Sequence, residues 1–154
     1  MDDVHEINVA KTELREAYNT GDVDRLLAIY APCGFTDMSE GGPNRYGEDA
    51  KLTLRVQVSK LFKEYLVKFF PIVNRVVVLG DTAYDYGWHE FILTPKSGGP
   101  PIRRRQRYFE LWNRTESRDW KISLHINNED VPEELGGCTS HWFMGEETGP
   151  APLN

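Results

Sequence analysis

The stretch Tyr18-Asn19-Thr20-Gly21-Asp22-Val23-Asp24-Arg25-Leu26-Leu27-Ala28-Ile29-Tyr30-Ala31 holds one helix end, one helix start and a stop. Gly21 has the freedom to cap the C-terminus of a preceding helix, and Asp22 can N-cap the next one. Upstream, Ile7, Ala10, Leu14, Ala17 and Tyr18 recur at steps of three and four and share one helical face. Downstream, Leu26, Leu27, Ile29 and Tyr30 form the apolar face of a short helix, which Ala31-Pro32 ends. Phe35 to Met38 then reads as a short strand, and Ser39 to Asn44 as a loop rich in breakers. A longer helix is predicted from Glu48 to Tyr65, with Ala50, Leu54, Leu61, Phe62 and Tyr65 facing inward.

The second half changes period. Four strands are predicted, Val67 to Leu79, Thr82 to Thr94, Ile102 to Trp112 and Trp120 to Asn127, separated by turn residues such as Gly80-Asp81. Pro71 marks an edge or a bulge in the first of them. Strands joined by hairpin-length loops pair as antiparallel neighbours, with the helices segregated to one side. The chain is thus expected to be an α+β domain spanning residues 1–132, followed by a Gly/Pro-rich tail at 133–154.

Composition narrows the function. Of 154 residues, 40% are hydrophobic and 27% charged, an ordinary globular balance. Asp and Glu outnumber Lys and Arg by 24 to 18, for a net charge of -6. Such a chain repels a phosphate backbone, so nucleic acid is not an expected partner. The run Arg103-Arg104-Arg105-Gln106-Arg107 does not change that, because alternation splits its charges between two faces; a solvated strand edge or inter-subunit ion pairs account for it better, and an anionic substrate held by Arg104 is a third reading. No apolar run reaches the ~20 residues needed to cross a bilayer. With two cysteines, Cys33 and Cys138, and no apolar segment after the acidic start, a cytoplasmic protein with reduced thiols is expected. Cys138 and His141 are too few to make a metal site, and no cofactor motif occurs, so neither metal nor cofactor is expected.

The order of elements, with the Tyr18 to Ala31 stretch and the closing Trp120-Lys121-Ile122 followed by Asn128, Asp130 and Pro132, resembles the nuclear-transport-factor-2-like superfamily. The similarity covers about residues 5 to 132 and is nearest to its SnoaL-like, ketosteroid-isomerase-like branch. It implies a conical half-barrel of curved antiparallel sheet, with three N-terminal helices covering a pocket, and a homodimer. It also implies that Leu14, Tyr18 and Met38 wall the pocket. Two departures argue against ketosteroid isomerisation. Met38 stands where such isomerases carry a general-base Asp, with Asp37 expected on the other face of the strand, and Leu14 replaces their tyrosine.

Chemistry has to be read from strand alternation. Trp120, Ile122, Leu124 and Ile126 are expected on one face of the last strand, and Lys121, Ser123, His125 and Asn127 on the other. The resemblance turns Ser123, His125 and Asn127 to the cavity. On the third strand Arg104, Gln106, Tyr108, Glu110 and Trp112 share a face. His125 would act as acid or base, Glu110 would tune it, and Tyr108 or Tyr18 would donate to developing charge. Trp112 and Asn127 complete the expected binding surface. The competing account makes His125 a structural, hydrogen-bonded side chain and pairs Glu110 with an arginine. On the second strand Tyr84, Tyr86, Trp88, Glu90 and Ile92 are opposed by Asp85, His89 and Phe91, and the aromatic stripe suits sheet packing or a dimer interface. The function expected is binding of a small, mostly apolar molecule, with cofactor-free isomerase, cyclase, dehydratase or hydrolase chemistry. The alternative is a non-catalytic binding or assembly module.

Overall fold

The computed structural model describes residues 2–130. The tail expected at 133–154, with Cys138 and His141, lies outside the described residues. Helix α1 spans Asp3–Thr20 and α2 Val23–Leu27. The turn between them has the conformation that its residues favour. Gly21 sits at φ 69° and Asp22 accepts from the Arg25 amide at 3.0 Å, capping α2. Asn19 has a role that periodicity did not reveal: its carbonyl oxygen accepts from the Phe69 amide at 2.7 Å, tying the end of α1 to the sheet.

Strand β1 (Thr36–Ser39) leads through a loop to a two-residue strand, β2 (Arg45–Tyr46), which sequence reading missed. Helix α3 runs over Gly47–Glu64 and feeds directly into β3 (Tyr65–Leu79). Strands β4 (Thr82–Pro95), β5 (Ile102–Arg114) and β6 (Trp120–Glu129) complete a curled, unclosed sheet in the order β2-β1-β6-β5-β4-β3. β1 joins β6 in parallel, the one parallel pair among these neighbours. The helices lie on one side of this sheet, as an α+β domain requires. Ile7, Leu14 and Ala17 of α1, Ala50, Leu54 and Val58 of α3, and Phe69, Trp112 and Ile122 of the sheet share one core. No helix among the described residues is long and apolar enough to cross a membrane.

Two expectations about strand faces are corrected. In β6 the pairing with β5 slips between Leu111 and Trp112, so that Leu111 faces Leu124 but Trp112 faces Ile122. Ser123 is the extra residue of this bulge, and its hydroxyl turns to Asn113 at 2.5 Å. Trp120 and Ile122 therefore lie on the same helix-covered face as His125 and Asn127, while Leu124 and Ile126 face away. In β1, Asp37 pairs with His125 and Ser39 with Asn127, so Asp37 and Ser39 face the cavity and Met38 turns outward beside Ile126. Phe35 supplies the reason. Its ring is buried in the core, and alternation counted from that anchor brings Asp37 inward.

Candidate functional site

Registered residues of four strands form a row on the concave face: Asp37 of β1, His125 of β6, Glu110 of β5 and Asp85 of β4. Helix α1 adds Lys11, which lies between Ile7 and Leu14 on the buried face. Its ammonium bonds the Glu110 carboxylate, stands 3.1 Å from Asp85 and lies 4.1 Å from the centre of the Tyr108 ring. Asp85 also accepts from the Tyr108 hydroxyl at 2.6 Å and from the Trp112 indole at 2.7 Å. The glutamate's partners are thus a histidine and a helical lysine, not the arginine that the competing account supposed.

Burial sets the energetics of the cluster. It opposes charge on Glu110, but the Lys11 ammonium and His125 outweigh it and hold the carboxyl well below the usual carboxylate range. Burial likewise pulls Lys11 down, and Glu110 with Asp85 more than restores it. Asp85 is left raised, because burial exceeds what Lys11 returns to it. The Tyr108 hydroxyl is pushed far up by burial and by Asp85, so its proton stays in place.

The hydrogen bonds of His125 define its tautomer. Asn127 accepts the Glu40 amide on Oδ1 at 3.0 Å, so its Nδ2 is the atom that faces His125 Nε2 at 2.9 Å. Nε2 is then an acceptor, and the ring proton lies on Nδ1, donated to Glu110 Oε2 at 3.0 Å. Both ring nitrogens of His125 are thus engaged.

Between this floor and the helices lies a cavity of about 310 Å³. Leu14, Tyr18, His125 and Asn127 line it as expected; Glu110, Tyr108 and Trp112 do not, being sealed beneath it, and Met38 does not. The three residues expected to act together are therefore divided, with only His125 reaching the cavity. Asp37, Ser39, His89 and Gln106 add further polar groups to the lining. Two polar groups there were not singled out. Asp37, 7% exposed, holds the Ser39 amide and hydroxyl on Oδ1, at 3.0 and 2.5 Å. Its other oxygen has no hydrogen-bond partner among the described residues. His89, 4% exposed, has no partner on either nitrogen among those residues, and stacks 3.9 Å from the Tyr108 ring. Burial, and then the Lys11 charge, push its imidazole well below its ordinary pKa, so it is neutral.

A larger groove of about 510 Å³ lies at the other end of α1, beside Trp120, but gathers no such set of buried polar groups. Among the described residues no His, Cys, Asp and Glu side chains gather as a metal site. Arg104 lines the cavity mouth but is bound to Glu129, and Arg105 pairs with Glu90 and Asp130. These ion pairs lie within the chain, between β5 and its neighbours β4 and β6, so the run sits on an interior strand rather than on the solvated edge expected.

No family model and no curated protein matches the chain in sequence. Solved structures do match. A ketosteroid isomerase-like protein from Erwinia carotovora atroseptica superposes with a TM-score of 0.69 at 19% identity, over 85% of this chain and 98% of that one. An NTF2-like protein with a cystatin-like fold from Novosphingobium aromaticivorans does so at 0.67 and 16%, over 90% and 85%. The fold is NTF2-like. A conserved protein from Planctomyces limnophilus shares it, at 0.71 and 14% identity over 83% of this chain and 98% of that one. At these identities the NTF2-like likeness concerns architecture, and the function has to be argued from the cavity itself.

Proposed function

We propose that the protein binds a small molecule in the cavity between α1, α3 and the concave face of the sheet. The observation that carries this reading is the pair Asp37 and His89, two buried polar side chains that line the cavity, with one Asp37 oxygen and His89 Nε2 unpaired among the described residues. Unsatisfied buried groups cost stability, and a ligand that pairs with them offsets the cost. The ligand's other side would lie against Leu14, Tyr18, Leu54 and Val58. A fragment screen by NMR tests this, with Val58→Trp as a filled-cavity control. Fragments that shift Asp37 and His89 resonances in the parent, and do so no longer in the filled variant, support it. Hits confined to other surfaces overturn it.

A second reading, cofactor-free acid–base catalysis, is favoured by the adjacency of Asp37 and His125 across β1 and β6. In that reading the free oxygen of Asp37 takes a proton from substrate, and His125, oriented by Glu110, supports the developing charge through Asn127. Tyr18 takes the donor role, since the Tyr108 proton is committed to Asp85. Ketosteroids remain poor candidates on the missing tyrosine at Leu14, although the argument that Asp37 faces away no longer holds. Deuterium exchange at an acidic carbon of a bound ligand would support this reading if Asp37→Asn or His125→Ala abolishes it. Unchanged exchange in both variants would remove it.

We also infer self-association through the outer face of the sheet. There Tyr84 stacks with Tyr86 and Phe109 at 6.4 and 5.6 Å, and Arg105 covers Trp88.

A further inference from the structure

We propose that the cavity selects a small aromatic or apolar molecule carrying a primary or secondary ammonium group, held by Asp37. This deepens the binding reading above and rests on it. Lys11 is engaged by Glu110 and Asp85, Arg104 by Glu129, and Arg45, opposite Asp37 across β1 and β2, by Asp49. Glu40 takes the Glu129 amide at 2.7 Å. Asp37 alone among the cavity's acidic groups is both buried and without an ion pair among the described residues. A buried carboxylate with one oxygen fixed by Ser39 and the other free is an anchor for a cation that also donates hydrogen bonds.

The walls suit the same ligand. Tyr18, Tyr30, Phe35 and Phe91 line the cavity, with Tyr18 edge-on to Phe91 at 5.5 Å and Tyr30 to Phe35 at 4.9 Å. Aromatic faces attract an ammonium and pack an aromatic or apolar body. After burial, Glu110 and then Asp37 raise the Tyr18 hydroxyl; for Tyr30 the neighbouring Tyr18 comes before those two carboxylates. Neutral His89 adds an acceptor nitrogen without opposing charge. The volume, about 310 Å³, is at the small end of the ~300–1,000 Å³ range of ligand pockets and fits one ring with a short chain.

The test compares 2-phenylethylammonium with two probes of nearly the same shape, neutral 2-phenylethanol and anionic phenylacetate, by NMR titration of the whole protein at pH 7. The ammonium is expected to bind about ten-fold more tightly than either, the size of one charge-assisted hydrogen bond. In Asp37→Asn its advantage over the alcohol should fall to about two-fold or less, with alcohol binding retained. The comparison of probes on the parent protein stands even if that variant folds poorly. Equal binding of ammonium and alcohol would overturn the ammonium assignment and leave the cavity reading intact. Tighter binding of phenylacetate would overturn it in favour of Arg104. Binding of none of the three at millimolar concentration would overturn both.

Discussion

Lys11 is the residue whose context matters most. It is 2% exposed, in an apolar helical stripe, and its charge is what allows two carboxylates to be buried beneath the cavity. Lys11→Met should destabilise the fold by about 3–5 kcal/mol, because removing one partner leaves buried charge uncompensated. Adding Glu110→Gln should recover part of that loss, and urea unfolding of the single and double variants measures both. His89 makes a prediction about pH. Its folded pKa is depressed, so below the unfolded value of ~6.5 the unfolded chain binds more protons than the native one. Stability must therefore fall as pH drops from about 6.5 toward the folded value, by up to ~1.4 kcal/mol per pH unit. In His89→Phe, which keeps a ring against Phe69 and Tyr108, the loss between pH 7.5 and 5.5 should be visibly smaller. Equal losses in parent and variant would show that other groups set the acid sensitivity.

At the scale of elements, two bulges decide where side chains point. The one at Ser123 allows Trp120 and Ile122 to enter the core while His125 and Asn127 face the cavity on the same side of the strand. The other interrupts β3 between Val73 and Arg75, opposite Gly87 of β4. A Cβ on Gly87 would collide with the Ile72 carbonyl oxygen and come within 2.9 Å of the Asn74 amide nitrogen. Both obstacles are backbone, so neither can swing aside. Gly87→Ala should cost about 3 kcal/mol or more, read as a lowered melting temperature. Gly98→Ala serves as a control for crowding, since a Cβ there meets nothing within 4 Å; its own penalty comes only from a φ of 99°.

For the molecule as a whole, the open question is what covers the outer face of the sheet. Helices cover only one face, and the other carries Tyr84, Tyr86, Trp88 and Phe109, half-buried within the single chain. Sedimentation equilibrium at micromolar concentration should give the mass of a dimer, and Tyr86→Lys should shift it toward the monomer with an unchanged circular dichroism spectrum. A parent protein that sediments as a monomer would end the inference.

Local signals carry most of the architecture. The Gly21-Asp22 cap pair, the stripes of α1 and α3 and the hairpin turns each depend on residues within a few positions of one another, so they were legible without any partner. The expected helices and long strands accordingly appear, with bounds shifted by only a few residues. Face assignments in β4 and β5 were legible too, because neither strand's alternation is interrupted near the site; Asp85, His89 and Glu110 face inward together. Lys11 could have been found from its place between Ile7 and Leu14, since a charge in a buried stripe needs a partner. What alternation could not supply is the register. A bulge such as that at Ser123 is fixed by which residues oppose one another across two strands, and one extra residue reverses every face beyond it. Sequence alone thus determined an α+β chain with an acidic, histidine-bearing sheet. Only the tertiary structure decided that Lys11 neutralises the buried acids, that Tyr108 spends its proton on Asp85, and that one oxygen of Asp37 has no partner among the described residues. Each of those outcomes depends on the distance between groups far apart in the chain.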